Sequence, residues 1–255
     1  MLRAQFLRVY GQLQALRGDY AEAVPALRKA IDLLAGQPGI ELTVATEMLG
    51  ATYAYIGEFE RALELVGAAH LRSEGVQDQA ALAAGEGFLS AIHHMRGDWH
   101  RARDHAARAI DTARAAASMI HEYVGLVYVG LPEARLGNVE AGASALRRAI
   151  AIAEQAGIWV LLGRAHGWLA EIELEREDAE AALRCADAGL ELSTRHGYLF
   201  DTALCERARG RALAALAHSA EAREHLSRAE AQFAAIGARP ELERTRDAIA
   251  SVSLV

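Results

Sequence analysis

Lysine occurs once in the 255 residues, at Lys29, cysteine twice, at Cys185 and Cys205, and proline four times. Two cysteines are too few for a disulfide scaffold, and their separation fits no zinc-ligand pattern, so a reducing cytoplasm is the expected setting. With so few prolines, little interrupts a helix. Alternating runs of Val, Ile and Thr, which would mark strands, are missing. A basic excess is missing too: the net charge is −7, which argues against a chain built to grip nucleic acid. No charged-then-apolar leader opens the sequence. The most apolar stretch, YVGLVYVGLPEA at Tyr123–Ala134, is too short to cross a bilayer. The expectation is a soluble protein with no membrane or nucleic-acid partner.

What is present is a core-forming composition, 52% hydrophobic against 24% charged, so the chain is no disordered polymer. It is rich in Ala, Leu, Glu and Arg, whose side chains lose little freedom in a helix. One phrase recurs: RGDYAEAVPALRKAI (Arg17–Ile31), IGEFERALELVGAAH (Ile56–His70) and RGDWHRARDHAARAI (Arg96–Ile110). Its turn positions are Gly18, Gly57, Gly97, Gly137, Glu177 and Ala217, a step of 39 and then four steps of 40. A fixed period of this size marks stacked helical pairs.

Three further registers hold only Gly, Ala or Ser. Seven residues before the turn stand Gly11, Gly50, Ser90, Gly130, Ala170 and Gly210. Five after it stand Ala23, Ala62, Ala102, Gly142, Ala182 and Ala222; twelve after it stand Ala30, Ala69, Ala109, Ala149, Gly189 and Ala229. Glycine inside a helix costs about 1 kcal/mol, so its recurrence predicts two backbones in close approach. Asp19, Glu58, Asp98, Asn138 and Asp178 follow the turns and are placed to cap the second helices, Glu58 less well. Tyr20, Phe59 and Trp99 come next, as wedges beneath the turn. Gly36, Gly75, Gly157, Gly197 and Gly237 read as left-handed caps of the second helices; the third unit lacks one, and its boundary falls near Ser118. Pro132 is expected to kink a first helix, Pro25 to do so less severely in a second helix, and Pro240 suits a first turn.

The LG at Leu49–Gly50 with Tyr53, the GEFERA that follows and Ala69 resemble the tetratricopeptide repeat. The resemblance covers nearly the whole chain, although the period exceeds the usual 34 and the unit-ending proline is mostly missing. HEAT-like pairs have a similar period, but the turn and small-residue register favours the tetratricopeptide reading. The resemblance implies an all-α, right-handed superhelix (an α-solenoid) in one domain, 1–255. Its six antiparallel pairs are expected near 2–36, 41–73, 78–116, 119–156, 158–196 and 199–236, with a capping helix at 240–251. The long units are similar to the helical arm of large bacterial regulators, where such an arm follows an ATP-binding domain in LuxR-type activators and some multidomain cyclases or kinases. FAAIGARPELERTRDAI (Phe233–Ile249) resembles the end of such an arm.

Catalytic candidates are thin. His93, His94, His100 and His105 cluster in sequence, but His93 and His94 diverge on one helix and the other two belong to the next, so solvated or groove-lining imidazoles are the simpler reading than metal ligands. HEYVG at His121 lacks the second histidine of a zincin. Gly85 and Gly87 follow no strand and precede no Gly-Lys-Ser/Thr, so they form no phosphate loop. Cys185 and Cys205 lack an activating neighbour. Arg96–Arg114, with five arginines against three aspartates, reads as a solvated face. The expectation is a chain that is not an enzyme and holds no metal or cofactor.

The resemblance implies that first helices line a concave, partner-holding face. Its inward positions fall on Arg8, Gln12, Glu47, Tyr55, His94, Met95, Val124, Val127, Leu131, Arg135, Arg164, Glu171, Glu175, Arg207 and Arg211. Val124, Val127 and Leu131, near Met95 and flanked by Arg135 and Arg164, would form an apolar strip for an amphipathic helix or apolar ligand; the alternative is a helix buried on all sides. At the end, Glu241, Glu243, Arg244, Arg246 and Asp247 are expected to give the last helix a polar outer face. At the start, MLRAQFLRVYGQL enters the first unit without a cap, so either the chain continues a longer protein or its first unit docks on something. The expected function is protein or peptide binding in a bacterial regulator; the alternative is sensing of a small-molecule effector in the same groove.

Overall fold

The computed structural model describes residues 2–37 and 39–252; the remainder of the expected domain 1–255 lies outside the described residues. The described residues form thirteen helices and no strand. They are α1 (Leu2–Arg17), α2 (Tyr20–Leu34), α3 (Ile40–Tyr55), α4 (Phe59–Val76), α5 (Gln79–Arg96), α6 (Trp99–Ala115) and α7 (Met119–Arg135). There follow α8 (Val139–Ala156), α9 (Leu162–Glu175), α10 (Ala179–His196), α11 (Leu199–Ala215), α12 (Ser219–Ile236) and α13 (Arg239–Val252). Two compact units, Met1–Tyr128 and Val129–Val255, divide within α7. In the first, α1 and α5 each pack on α3, and each first helix packs on its own second helix. In the second, α11 likewise packs on both α9 and α13. The architecture is all-α hairpin repeats of the tetratricopeptide type.

All six turn positions are left-handed, with φ of 90°, 85°, 82° and 93° at Gly18, Gly57, Gly97 and Gly137, and 62° and 63° at Glu177 and Ala217. Each turn closes the same way: the amide after the left-handed residue donates to the carbonyl five back, as in Asp19 N to Gln14 O at 2.8 Å and His218 N to Leu213 O at 2.9 Å, a Schellman closure. A left-handed alanine costs about 1–2 kcal/mol, partly offset by the chain entropy glycine would lose. Ala217→Gly should therefore raise the unfolding free energy by about 0.5 kcal/mol, read from the urea midpoint.

The capping expectation divides. Asp19, Asp98 and Asp178 accept from Glu22, Arg101 and Ala181 amides, whereas Glu58 and Asn138 make no side-chain cap. Asn138 instead donates through Nδ2 to Glu133 at 2.7 Å. The second-helix caps also need correction. Gly36 and Gly75 are not left-handed; Gln77, Ala117, Gly157, Gly197 and Gly237 are, again 40 apart, and the third boundary is the turn at Ala117. α9 starts at Leu162, not 158, behind a left-handed Leu161. α7 runs through Pro132 to Arg135.

All eighteen small residues are buried. A Cβ on Gly11, Gly130 or Gly210 would come within 2.7, 2.4 or 2.7 Å of Leu27, Leu146 or Leu226, and on Gly50 within 2.5 Å of Val66. The blocking residue always lies nine after the turn. Where the first helix has Ser90 or Ala170 instead of glycine, that partner position is Ala106 or Ala186. A side chain on the first helix of a crossing is thus accompanied by a smaller one on the second.

Candidate functional site

In the second unit, α7, α9, α11 and α13 line a charged cleft of about 320 Å³. The first-helix register brings Arg135, Glu171, Arg207 and Arg211 together, and α13 adds Arg244 and Asp247. Glu171 forms the floor, with its side chain only 3% exposed, and three guanidinium groups converge on it. Arg211 contacts Oε2, Arg135 stands 3.6 Å from that oxygen, and Arg207 Nε is 3.6 Å from Oε1, which accepts no hydrogen bond. Arg135 also pairs with Glu175. Arg207 reaches Glu241 at 2.5 Å, and Arg244 contacts the same carboxylate.

Glu171, Glu175, Glu241 and Asp247 match the four arginines in number, but Glu171 alone faces three guanidinium groups. Burial and the charge of Arg135 lower the pKa of Arg211, the sign expected where another anion would be welcome. Arg135, Arg211 and Arg244 keep a third of their side-chain surface in solvent, at 33%, 35% and 32%, so an arriving carboxylate or phosphate could take charge-assisted bonds from them.

The other expected site residues lie elsewhere. The apolar strip is not a surface: Val127, Leu131, Met95 and His94 are 0%, 5%, 2% and 1% exposed, and Val124 is half-buried. Val127→Asp or Leu131→Asp would therefore strike the core. Arg164 is no groove residue either; its Nε and Nη2 meet Asp201 Oδ1 at 2.8 and 2.7 Å, both side chains being buried. Tyr55 is buried, stacked on Tyr20 and hydroxyl-to-hydroxyl with Tyr128 at 2.7 Å. Arg8 bonds Gln12 and Glu41. Glu241, expected on an outer polar face, is 2% exposed and faces Arg207.

The histidines do not converge. His93 stacks on His105 at 5.2 Å, His94 meets Trp99 edge-on, and His100 is exposed. Burial and the neighbouring His105 push His93 down to about 4. Cys205 is buried, donating to Gly163 O, and burial raises both thiols, which leaves them unreactive.

The first unit holds a polar chain across its hairpins. Glu86 takes His105 Nδ1 at 2.7 Å and Arg108 Nε at 3.1 Å, with His70 Nε2 at 3.4 Å. Beyond His70, Glu47 is 1% exposed with Oε1 lacking a hydrogen bond. Burial pushes its carboxyl from the ordinary 4.5 to about 7. A raised carboxyl stabilises the fold only while protonated: the contribution is complete below about 4.5 and lost as pH climbs through 7. Glu47→Gln should remove roughly 2 kcal/mol of pH dependence between 5 and 8, measured as the difference between variant and parent urea midpoints across that range.

Fold and cleft together define a helical-repeat protein of the tetratricopeptide type. No family model and no curated protein matches the sequence. Solved structures do match. A Rap protein complexed with competence and sporulation factor superposes with a TM-score of 0.71 at 13% identity, over 99% of this chain and 75% of that one. Aspartyl phosphate phosphatase F from Bacillus subtilis gives 0.62 at 15%, over 99% and 70%. A signal transduction ATPase with numerous domains and a tetratricopeptide repeat sensor, from Pyrococcus horikoshii, gives 0.56 at 16%, over 92% of this chain and 39% of that one. These likenesses carry the fold and no chemistry.

Proposed function

We propose that this chain is a non-enzymatic, protein- or peptide-binding repeat module, the sensor or interaction arm of a larger cytoplasmic bacterial regulator. An ATP-binding domain upstream would complete such a regulator. The observation that carries the binding function is the cleft rimmed by Arg135, Arg211 and Arg244, each of which keeps about a third of its side-chain surface in solvent. Its fitting partner is an extended or helical segment bearing carboxylates or phosphates. The regulatory setting draws support from the similar Rap complex with its factor and from the similar ATPase with its repeat sensor.

The test is fluorescence anisotropy with acidic, neutral and basic peptide pools of one length. Acidic peptides should bind, weaken as salt rises, and lose at least about tenfold in affinity with Arg135→Ala/Arg211→Ala, since each charge-assisted bond contributes about 1.5–3 kcal/mol. Equal binding of all pools would overturn the reading. A second reading, an anionic small-molecule effector, is favoured by the cleft's volume, at the lower end of ligand pockets. A thermal shift with an anionic metabolite, and none with peptides, would select it.

A further inference from the structure

The resident carboxylates of the cleft are not alike. On α9, Glu171 and Glu175 stand one helical turn apart, as Arg207 and Arg211 do on α11. Glu171, the inner of the two, is 3% exposed and faces Arg135, Arg207 and Arg211. Glu241 is equally enclosed, between Arg207 and Arg244. Withdrawing either would strip guanidinium groups of a buried counter-charge, which is costly. Glu175 differs. Its side chain is 23% exposed, its ion pair is with Arg135, and Arg135 is itself 33% exposed. A pair this open to water contributes little, because solvent compensates both partners when they part.

The repeat singles out the same two residues. Arg135 and Glu175 both stand two residues before their turns, on neighbouring first helices. In the other four units that position holds Leu16, Tyr55, Met95 and Ala215, none of them charged. Stacking one hairpin on the next therefore does not require an ion pair there. The charges stand where the cleft is, and Glu175 presents to Arg135 the group that an acidic ligand would present.

We propose that Glu175 is a resident stand-in for the ligand's anion, holding Arg135 until a carboxylate or phosphate of the bound segment displaces it. The proposal rests on the anion-binding reading of the cleft. Glu175 is a specificity-determining residue: an incoming anion must outcompete it, and gains over it by meeting Arg211 or Arg244 as well as Arg135. Glu171 stays in place and keeps the guanidinium groups aimed, so that little has to be ordered when the ligand arrives. A staple between α7 and α9 would act differently, since its removal would loosen the fold and tighten nothing.

The test is fluorescence anisotropy of a labelled Glu-Ala repeat peptide with the full chain and its variants, alongside their thermal melts. Glu175→Gln removes the charge and keeps the shape. It should tighten binding about two- to fivefold, the scale on which so exposed a pair competes, and leave the melt unchanged. In the Arg135→Ala background, where binding is weaker, the same change should have no effect. Asp247→Asn removes a carboxylate from the cleft lining without releasing Arg135, and should tighten binding less. A gain from Glu175→Gln that persists in Arg135→Ala, or that Asp247→Asn equals, is the work of long-range charge and overturns the proposal. Binding by the parent with no gain in Glu175→Gln overturns it too and leaves the anion-binding reading standing. Binding by neither overturns both.

Discussion

Asp201→Ala should lower the unfolding free energy by about 3–5 kcal/mol, the usual range for breaking a buried ion pair by removing one partner. Asp201 is 2% and Arg164 4% exposed, and both N–H groups of Arg164 in the pair end on one carboxylate oxygen. Burial pushes the Asp201 carboxyl up while Arg164 pulls it down; the pair holds because its members are charged together. Without the carboxylate the guanidinium, stacked 4.5 Å over Phe200, keeps its desolvation cost and loses its main compensation. Arg164→Met together with Asp201→Ala should recover most of the loss, because the buried charge goes too. Urea unfolding of the three variants measures this, and a single-variant loss below 1 kcal/mol would mean that water reaches Arg164.

Gly142→Val is expected to cost at least the ~1–3 kcal/mol of an overpacked core. A Cβ at Gly142 would lie 2.4 Å from Gly130 O, a backbone atom that no rotamer change can move. Gly130→Ala makes a different clash, at 2.4 Å from Leu146 Cγ, and that side chain can be trimmed. In a double-mutant cycle, Gly130→Ala and Leu146→Ala should therefore couple favourably by about 1 kcal/mol or more, whereas trimming Leu146 should leave Gly142→Val unrelieved. Equal relief of both would show that the two helices separate as rigid bodies.

These crossings were legible because tiny side chains at a fixed register leave a trace that larger, interchangeable residues do not. The resemblance, carried unit by unit, named Arg135, Glu171, Glu175, Arg207 and Arg211, which share one face of consecutive first helices. It failed at Glu241, Arg244 and Asp247, because the polar composition of α13 reads as a solvated face although Glu241 turns inward onto Arg207. It failed at Val127 and Leu131 for another reason. First helices are packed against their own hairpin, the preceding second helix and the neighbouring first helices, so the buried arc is wide enough to bury Thr43, Glu47 and Thr52 of α3 as well. Periodicity cannot divide such an arc into lining and interior. The caps at Gln77 and Ala117 were missed by looking for glycine where the spacing of 40 alone would have found them.

The exchange of bulk between Gly130 and Leu146 on one hairpin, and between Ala170 and Ala186 on another, bears on how such a chain can change over time. A lone rod moved from one position to another meets either a hole or an obstruction, while a complete hairpin arrives with its own fitting counterpart. Duplication, loss and grafting should accordingly respect hairpin borders, and breakpoints between the two helices of one hairpin should be selected against.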